Sequence, residues 1–305
     1  MKIVTDDVDL LKFIGRQQSQ YIRNAADFRE SLCNFAEGGR KPSGDLLPWK
    51  KTHDVIDFQP GRTTVWAGLN KSGKSLVVGQ AIMSWGGGVI ASLEMHPDET
   101  LYRMACQFSM QAATPRDCER FLQASSGLWI YNKLGAVDRD RILGLIYYSA
   151  QELGCKHIVV DSLMKCGLGR DDYDAEKRFV ESMVNAARDA GIHVHLICHM
   201  NKAGFEHTDD LIGARRFIRG AGEISDMADA CIVIARNRRK EIEIEKQNAG
   251  ANCDQTIINE WDALLRVDAN RHYGEERTFG LSYDTRSQLY HDGGILRAVS
   301  SSSSF

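Results

Sequence analysis

From residue 63 onward, short apolar runs alternate with longer amphipathic stretches. TTVWAG (63–68), VIASLEM (89–95), HIVVDSL (157–163), HVHLICHM (193–200) and DACIVIAR (229–236) are too short for helices and apolar on both faces. That is the mark of strands buried inside a sheet. Between them, the stretch from about 97 to 111 and EKRFVESMVNAARDAG (176–191) repeat their apolar residues at helical spacing. Strands alternating with helices predict an α/β fold, a mostly parallel twisted sheet covered by helices on both faces. The closing runs ALLRVDANR and TFGLSYD are short and close together, which predicts antiparallel β-hairpins at the C-terminal edge.

Before residue 45 the rhythm differs. LLKFIGRQQSQYIRNAADFRESLCNFA carries apolar residues at helical spacing, and GGRKPSG after it has a linker's glycines and proline. The pattern divides the chain into a helical arm and linker (1–45), one large domain (46–298) and a low-complexity, disordered SSSSF tail (299–305). Within residues 237–262, KEIEIEK alternates at period two and reads as a charged, solvated hairpin strand.

Composition narrows the picture only a little. Hydrophobic content of 43% and charged content of 26% suit a globular protein. No run is apolar enough to span a membrane and MKIVTDDVDLLKF lacks a signal peptide's regions, so a cytoplasmic location is expected. The eight cysteines form no C-x-x-C pair, against a zinc knuckle or disulfide scaffold. A net charge of −3 does not describe a protein that coats nucleic acid. It does not exclude one whose subunits concentrate a few cations in a channel.

The strongest chemical signal is Gly68-Leu-Asn-Lys-Ser-Gly73-Lys74-Ser75, a complete G-x-x-x-x-G-K-S between an apolar strand and a helical run. Glycines let backbone N–H groups turn inward around phosphate, and the N-terminus of the following helix adds its positive dipole end. The expected nucleotide contacts are Gly68, Asn70, Lys71, Ser72, Gly73, Lys74, Ser75 and Leu76, with Lys74 on the terminal phosphates and Ser75 on Mg²⁺. Such a loop needs an acid at the end of another buried strand, and Asp161 closes HIVVD. Alone, Asp161 reads equally well as a turn or capping residue. Hydrolysis also needs a carboxylate for the attacking water. Glu94 ends VIASLEM, where a lone glutamate would otherwise be unremarkable.

Six blocks together resemble the helicase domain of the DnaB-type superfamily, nearest its phage primase-helicase and Twinkle-like branch. They are LLPWKK…FQPGRTTVWAGLNKSGKS, VIASLEM, HIVVDSLMK, LICHMNKAG, FIRGAGEISDMADACIVIARN and, more weakly, ANRHYGEERTFGLSYD, over roughly 46–285. The resemblance implies a RecA-like P-loop NTPase using ATP, or another NTP or dNTP, with Mg²⁺. It implies that Glu94 is the base, Asp161 the magnesium acid and His199 a γ-phosphate sensor. An ordinary strand-end histidine remains the alternative for His199, while His193 and His195 read as structural. Arg271 matches the finger that enters the neighbouring subunit's site. Ala269 stands where the family often has a lysine, which leaves open a single cation or a register shifted to Arg266 or Arg277. Arg236 and Tyr283 match positions that sandwich the base.

The resemblance further implies a replicative DNA helicase, a homo-hexamer or heptamer that translocates on single-stranded DNA and excludes the other strand. Lys202, Arg215, Arg216, Arg219 and Gly220 would hold the DNA backbone from loops 165–177 and 201–222. The arm, over about 16–36, would pack on a neighbouring subunit. With about 45 residues ahead of the motor and no primase among them, a separate primase, polymerase or single-strand-binding protein is the expected partner, in phage-infected bacterial cytoplasm. A RecA/RadA-type recombinase, a KaiC-like regulatory ATPase and a degenerate scaffolding subunit are the rival readings.

Overall fold

The computed structural model describes residues 24–38, 43–167, 173–201, 211–218 and 224–293. Two compact units divide at Lys41 and Pro42. In the first, Asn24 accepts a hydrogen bond from Ala26 N ahead of a 3₁₀ turn, Ala25–Phe28, which leads into α1 (Arg29–Gly38). The second unit holds everything that follows.

Among the described residues its frame is a nine-stranded sheet in the order β3-β2-β4-β5-β1-β6-β7-β8-β9. The strands are β1 (Thr63–Gly68), β2 (Gly88–Ser92), β3 (Leu128–Ile130), β4 (His157–Asp161), β5 (His193–His199), β6 (Ala230–Arg236), β7 (Ala263–Asn270), β8 (Arg277–Asp284) and β9 (Leu289–His291). The first six are mutually parallel, and β7, β8 and β9 add an antiparallel meander at one edge. This is the architecture that alternating apolar runs and closely spaced final strands predict.

The helices are α2 (Lys74–Ser84), α3 (Pro97–Ser109), α4 (Pro115–Ala124), α5 (Arg139–Gln151), α6 (Tyr173–Ala190), α7 (Ile224–Met227), α8 (Arg238–Asn248) and α9 (Gln255–Ile258). Side chains alternate across each strand, so β1 feeds two cores. Val65 and Ala67 join Ile142 and Ile146 of α5 and Phe179, Val180 and Met183 of α6 on one face. Trp66 faces the other way, with Val77 and Ile82 of α2, Met104 of α3 and Phe121 of α4. No helix among the described residues is long and apolar enough to cross a membrane.

KEIEIEK is not a strand. It lies in α8, whose first turn is capped by Asn237 accepting from Lys240 N, with a Glu243–Lys246 pair at 2.6 Å one turn apart. Arg, Lys, Glu and Gln are strong helix formers, and a capped run of them outweighs the alternation of two isoleucines. The 299–305 tail lies outside the described residues, as do residues 1–23 of the expected arm.

At the N-terminal ends of β4 and β5, His157, His193 and His195 are buried among Phe58, Trp66 and Trp85. Trp66 Nε1–H donates to His195 Nδ1 at 3.1 Å, which places the His195 proton on Nε2, 3.2 Å from His157 Nδ1. His157 Nε2–H then donates to Asp45 at 2.9 Å. His193 Nδ1–H donates to the Gln59 carbonyl, and Thr64 Oγ1–H donates to its Nε2. Every ring nitrogen is satisfied with all three rings neutral, which is a structural use of these residues. It also ties the segment 45–59 beneath the sheet.

Candidate nucleotide site

The parallel strands all end on one side of the sheet, and β1 runs from there into α2 through the G-x-x-x-x-G-K-S loop. The loop depends on its glycines. A Cβ on Gly68 would lie 2.4 Å from the Ile234 carbonyl oxygen. Gly73 sits at φ 92°, where side chains are disfavoured, and a Cβ there would lie 2.1 Å from the Tyr290 hydroxyl. Lys74 is buried, and its Nζ donates to the carbonyls of Gly68 and Leu69 at 3.0 and 2.9 Å. Burial pulls its pKa down, opposed by the charge of Asp161.

Ser75 Oγ donates to Asp161 Oδ2 at 2.6 Å, bringing the start of α2 to the end of β4. Burial raises the pKa of Asp161, so the site favours a cation beside this carboxylate. Glu94, just past β2, accepts from Ser162 Oγ at 2.5 Å and His199 Nε2 at 3.3 Å. The His199 hydrogen bond is the largest influence holding its carboxyl down, at about 2, against partial burial. The other His199 nitrogen, Nδ1, is buried without a hydrogen-bond partner among the described residues.

These groups line one cleft of about 850 Å³. Glu94, Asp161, Lys165 and His199 stand on one side of the loop, and Arg236, Tyr283, Gln288 and Tyr290 on the other. The cleft thus gathers Asn70, Lys71, Ser72, Gly73, Lys74, Ser75, Leu76, Glu94, Asp161, His199, Arg236 and Tyr283. Gly68 contributes its carbonyl to Lys74 from below. Ser75 and Asp161 form an oxygen donor set suited to Mg²⁺.

Sequence reasoning missed Arg103, Lys165, Gln288 and Tyr290. Arg103 reaches the cleft from α3, and Tyr290 packs against Tyr283 with the rings tilted by 39° and centroids 4.9 Å apart. Neither belongs to a spacing motif, so only the folded chain brings them to the loop.

Arg271 is elsewhere. β7 runs antiparallel to β6, and its last residue Asn270 pairs with Ala230 while its first, Ala263, pairs with Arg236. Arg271 therefore leaves the end of the sheet remote from its own cleft, roughly 20 Å along β6 at the usual rise per residue. Its side chain is exposed. Of the expected DNA contacts, Lys202, Arg219 and Gly220 lie outside the described residues. Arg215 donates to the Asp268 carbonyl and pairs with Glu276 at 3.4 Å, whereas exposed Arg216 lies over the Phe217 ring. Arg266 is buried against Asp268 at 2.6 Å, and Arg277 pairs with Asp54 and Glu275.

The fold and this cleft define a RecA-like P-loop architecture. No family model and no curated protein matches the sequence. Among solved structures, the chain is similar to a DnaB-like replicative helicase described with its interactions with primase. That match has a TM-score of 0.67 and 12% identity, over 92% of this chain and 70% of the other. It is similar also to a second solved structure, described as an ATPase domain, with a TM-score of 0.67 and 13% identity, over 88% of this chain and 99% of that one. The chain shares the fold of DnaB-like helicase ATPase domains.

Proposed function

We propose that the protein is an ATP-dependent replicative DNA helicase, a ring of identical subunits that translocates on single-stranded DNA. One observation carries this reading. Ser75, Asp161, Glu94 and His199 converge on the cleft, while Arg271 is held at the opposite end of the same sheet. A cation so placed is out of reach of its own cleft, and in this reading it serves the cleft of another subunit. Hydrolysis at subunit interfaces is what a ring motor requires.

In this reading the loop N–H groups and Lys74 hold the phosphates. Ser75 and Asp161 would hold Mg²⁺, which when bound would neutralise charge on the transferred phosphoryl group. Glu94 accepts a proton as water attacks phosphorus and the bond to the β-phosphate oxygen breaks. His199, released from Glu94, donates to the γ-phosphate and transmits its loss to the segment after β5. That segment, with Arg216 and with Lys202, Arg219 and Gly220, faces single-stranded DNA, and its contacts are sequence-independent and weakened by salt. In this reading the 1–45 arm packs on a neighbouring subunit of the ring. The sequence blocks also favour the phage branch.

The test is ATP hydrolysis and unwinding on a forked DNA, comparing wild type with Lys74→Ala and Glu94→Gln. Wild type should hydrolyse ATP faster with single-stranded DNA and should unwind the fork. Lys74→Ala should lose nucleotide, and Glu94→Gln should bind it but turn over at least ~100-fold more slowly. Unwinding that survives Lys74→Ala would reject the mechanism. Strand exchange without unwinding would point to a recombinase, and ATPase activity indifferent to DNA to a regulatory ATPase.

A further inference from the structure

The connection between β6 and β7 leaves the sheet at the cleft and returns there. Asn237 N donates to the Asp262 carbonyl at 2.8 Å, and Asp262 N to the Leu281 carbonyl at 3.0 Å, so the excursion starts and ends on one hydrogen-bonded stem. Between these residues lie α8 and α9, braced where Glu243 accepts from Asp254 N at 2.8 Å. The excursion touches two residues of the cleft on the side away from Glu94. From α8, Glu241 Oε1 accepts from Arg236 Nε at 2.7 Å and lies 2.7 Å from Nη2. Arg236 Nη1 also donates to the Lys71 carbonyl in the phosphate loop at 3.4 Å. Two strands further along the sheet, Asp262 Oδ2 accepts from Tyr283 N at 2.8 Å. Its Oδ1 pairs with Lys240 Nζ at 2.8 Å, and Nζ also donates to the Glu260 carbonyl at 2.6 Å.

With phosphates on the loop and the attacking water beside Glu94, the base of a nucleotide must lie toward Arg236 and Tyr283. A guanidinium and a phenol ring are suited to the two faces of a nucleobase. An arginine free to rotate would lose much of that benefit on binding, because ordering a long side chain costs free energy. Glu241 removes that freedom in advance.

We infer that the α8–α9 excursion is a nucleobase-positioning device, in which Glu241 holds Arg236 and the Lys240–Asp262 pair holds Tyr283. Glu241 acts through Arg236 and is a positioning residue. This rests on the nucleotide reading of the cleft. The device acts on nucleosides and not on bare polyphosphate, which has no base to hold.

Two probes separate these contributions, ATP and inorganic tripolyphosphate, each measured as a competitor of a fluorescent nucleotide on the full-length protein. Glu241→Ala removes the acidic charge from the first turn of α8 but puts the best helix former in its place, so α8 is retained. It should lower affinity for ATP about tenfold and leave affinity for tripolyphosphate within about twofold. In an Arg236→Ala background the same change should cost ATP nothing further, the signature of one residue acting through the other. Unchanged ATP affinity, or equal loss for both probes, would overturn the inference while leaving the nucleotide site intact. A wild-type protein that binds neither probe would overturn the nucleotide reading with it.

Discussion

Two residues in the phosphate loop show how little slack the site has. Gly73 adopts φ 92° with the Tyr290 hydroxyl where a Cβ would stand, and Tyr290 is fixed by its backbone to both Trp49 and Gln80. Gly73→Ala should therefore cost about 1–3 kcal/mol of stability from backbone strain, besides the steric conflict. It should abolish binding of a fluorescent nucleotide even where circular dichroism shows a folded protein. Near-normal nucleotide binding by Gly73→Ala would show that Tyr290 yields and that the loop is not pinned. The loop itself was legible because its chemistry sits in consecutive residues. Glu94 and Asp161 were legible as acids at strand ends, once a phosphate loop lay upstream. Tyr290 and Arg103 were not, because nothing near them in the chain distinguishes them from other aromatic or basic residues.

At the scale of elements, the three histidines under β4 and β5 belong to the packing, as their spacing along a strand suggests for His193 and His195. The sequence carries no sign that His157 joins them, since the contact crosses from one strand to its neighbour. Burial holds the pKa of His193 at about 3 and pulls those of His157 and His195 below the ordinary value. The groups around them that carry charge are Asp45, Asp57, Arg62 and Lys156. A histidine neutral in the fold and protonated when unfolded makes the unfolded chain bind more protons below pH 6.5. Stability is then full above that pH and falls as the pH drops toward the folded value. Between pH 6.5 and 5 a single such histidine forfeits about 2 kcal/mol. The urea midpoint should fall steeply over this window, and less steeply in His193→Gln, which cannot take up the proton. Equal slopes for the two proteins would mean that the cluster is not what makes the fold acid-sensitive. The α8 segment carries the opposite lesson. Its period-two isoleucines suggest a strand, but Ile242 is exposed and no strand among the described residues takes up the segment. Helix propensity and the Asn237 cap then decide.

At the scale of the molecule, the alternation of strands and helices was enough to read the parallel centre of the sheet, whose strands are largely apolar and are covered by α5 and α6 on one face and α2, α3 and α4 on the other, but not the short strands β3 and β9. What the alternation does not reveal is which end of the sheet a given loop reaches, and the role proposed for Arg271 depends on that. The reversal of direction between β6 and β7 carries Arg271 to the far end, so its own cleft lies beyond its reach. If Arg271 completes a neighbour's cleft, two kinds of inactive subunit can repair each other. A ring made only of Lys74→Ala has no working phosphate loop, and a ring made only of Arg271→Ala has no working finger. In a mixed ring, an Arg271→Ala subunit offers an intact loop, and the Lys74→Ala subunit beside it offers an intact arginine. With equal amounts mixed at random, about a quarter of interfaces contain both intact halves. ATP turnover should therefore rise above either parent on mixing, peak near equal proportions and require conditions that let subunits exchange. An arginine acting within its own subunit could not produce that recovery, since neither chain then holds a complete site. Turnover that stays at the parental level at every ratio, in rings shown to contain both chains, would remove Arg271 from the shared pocket.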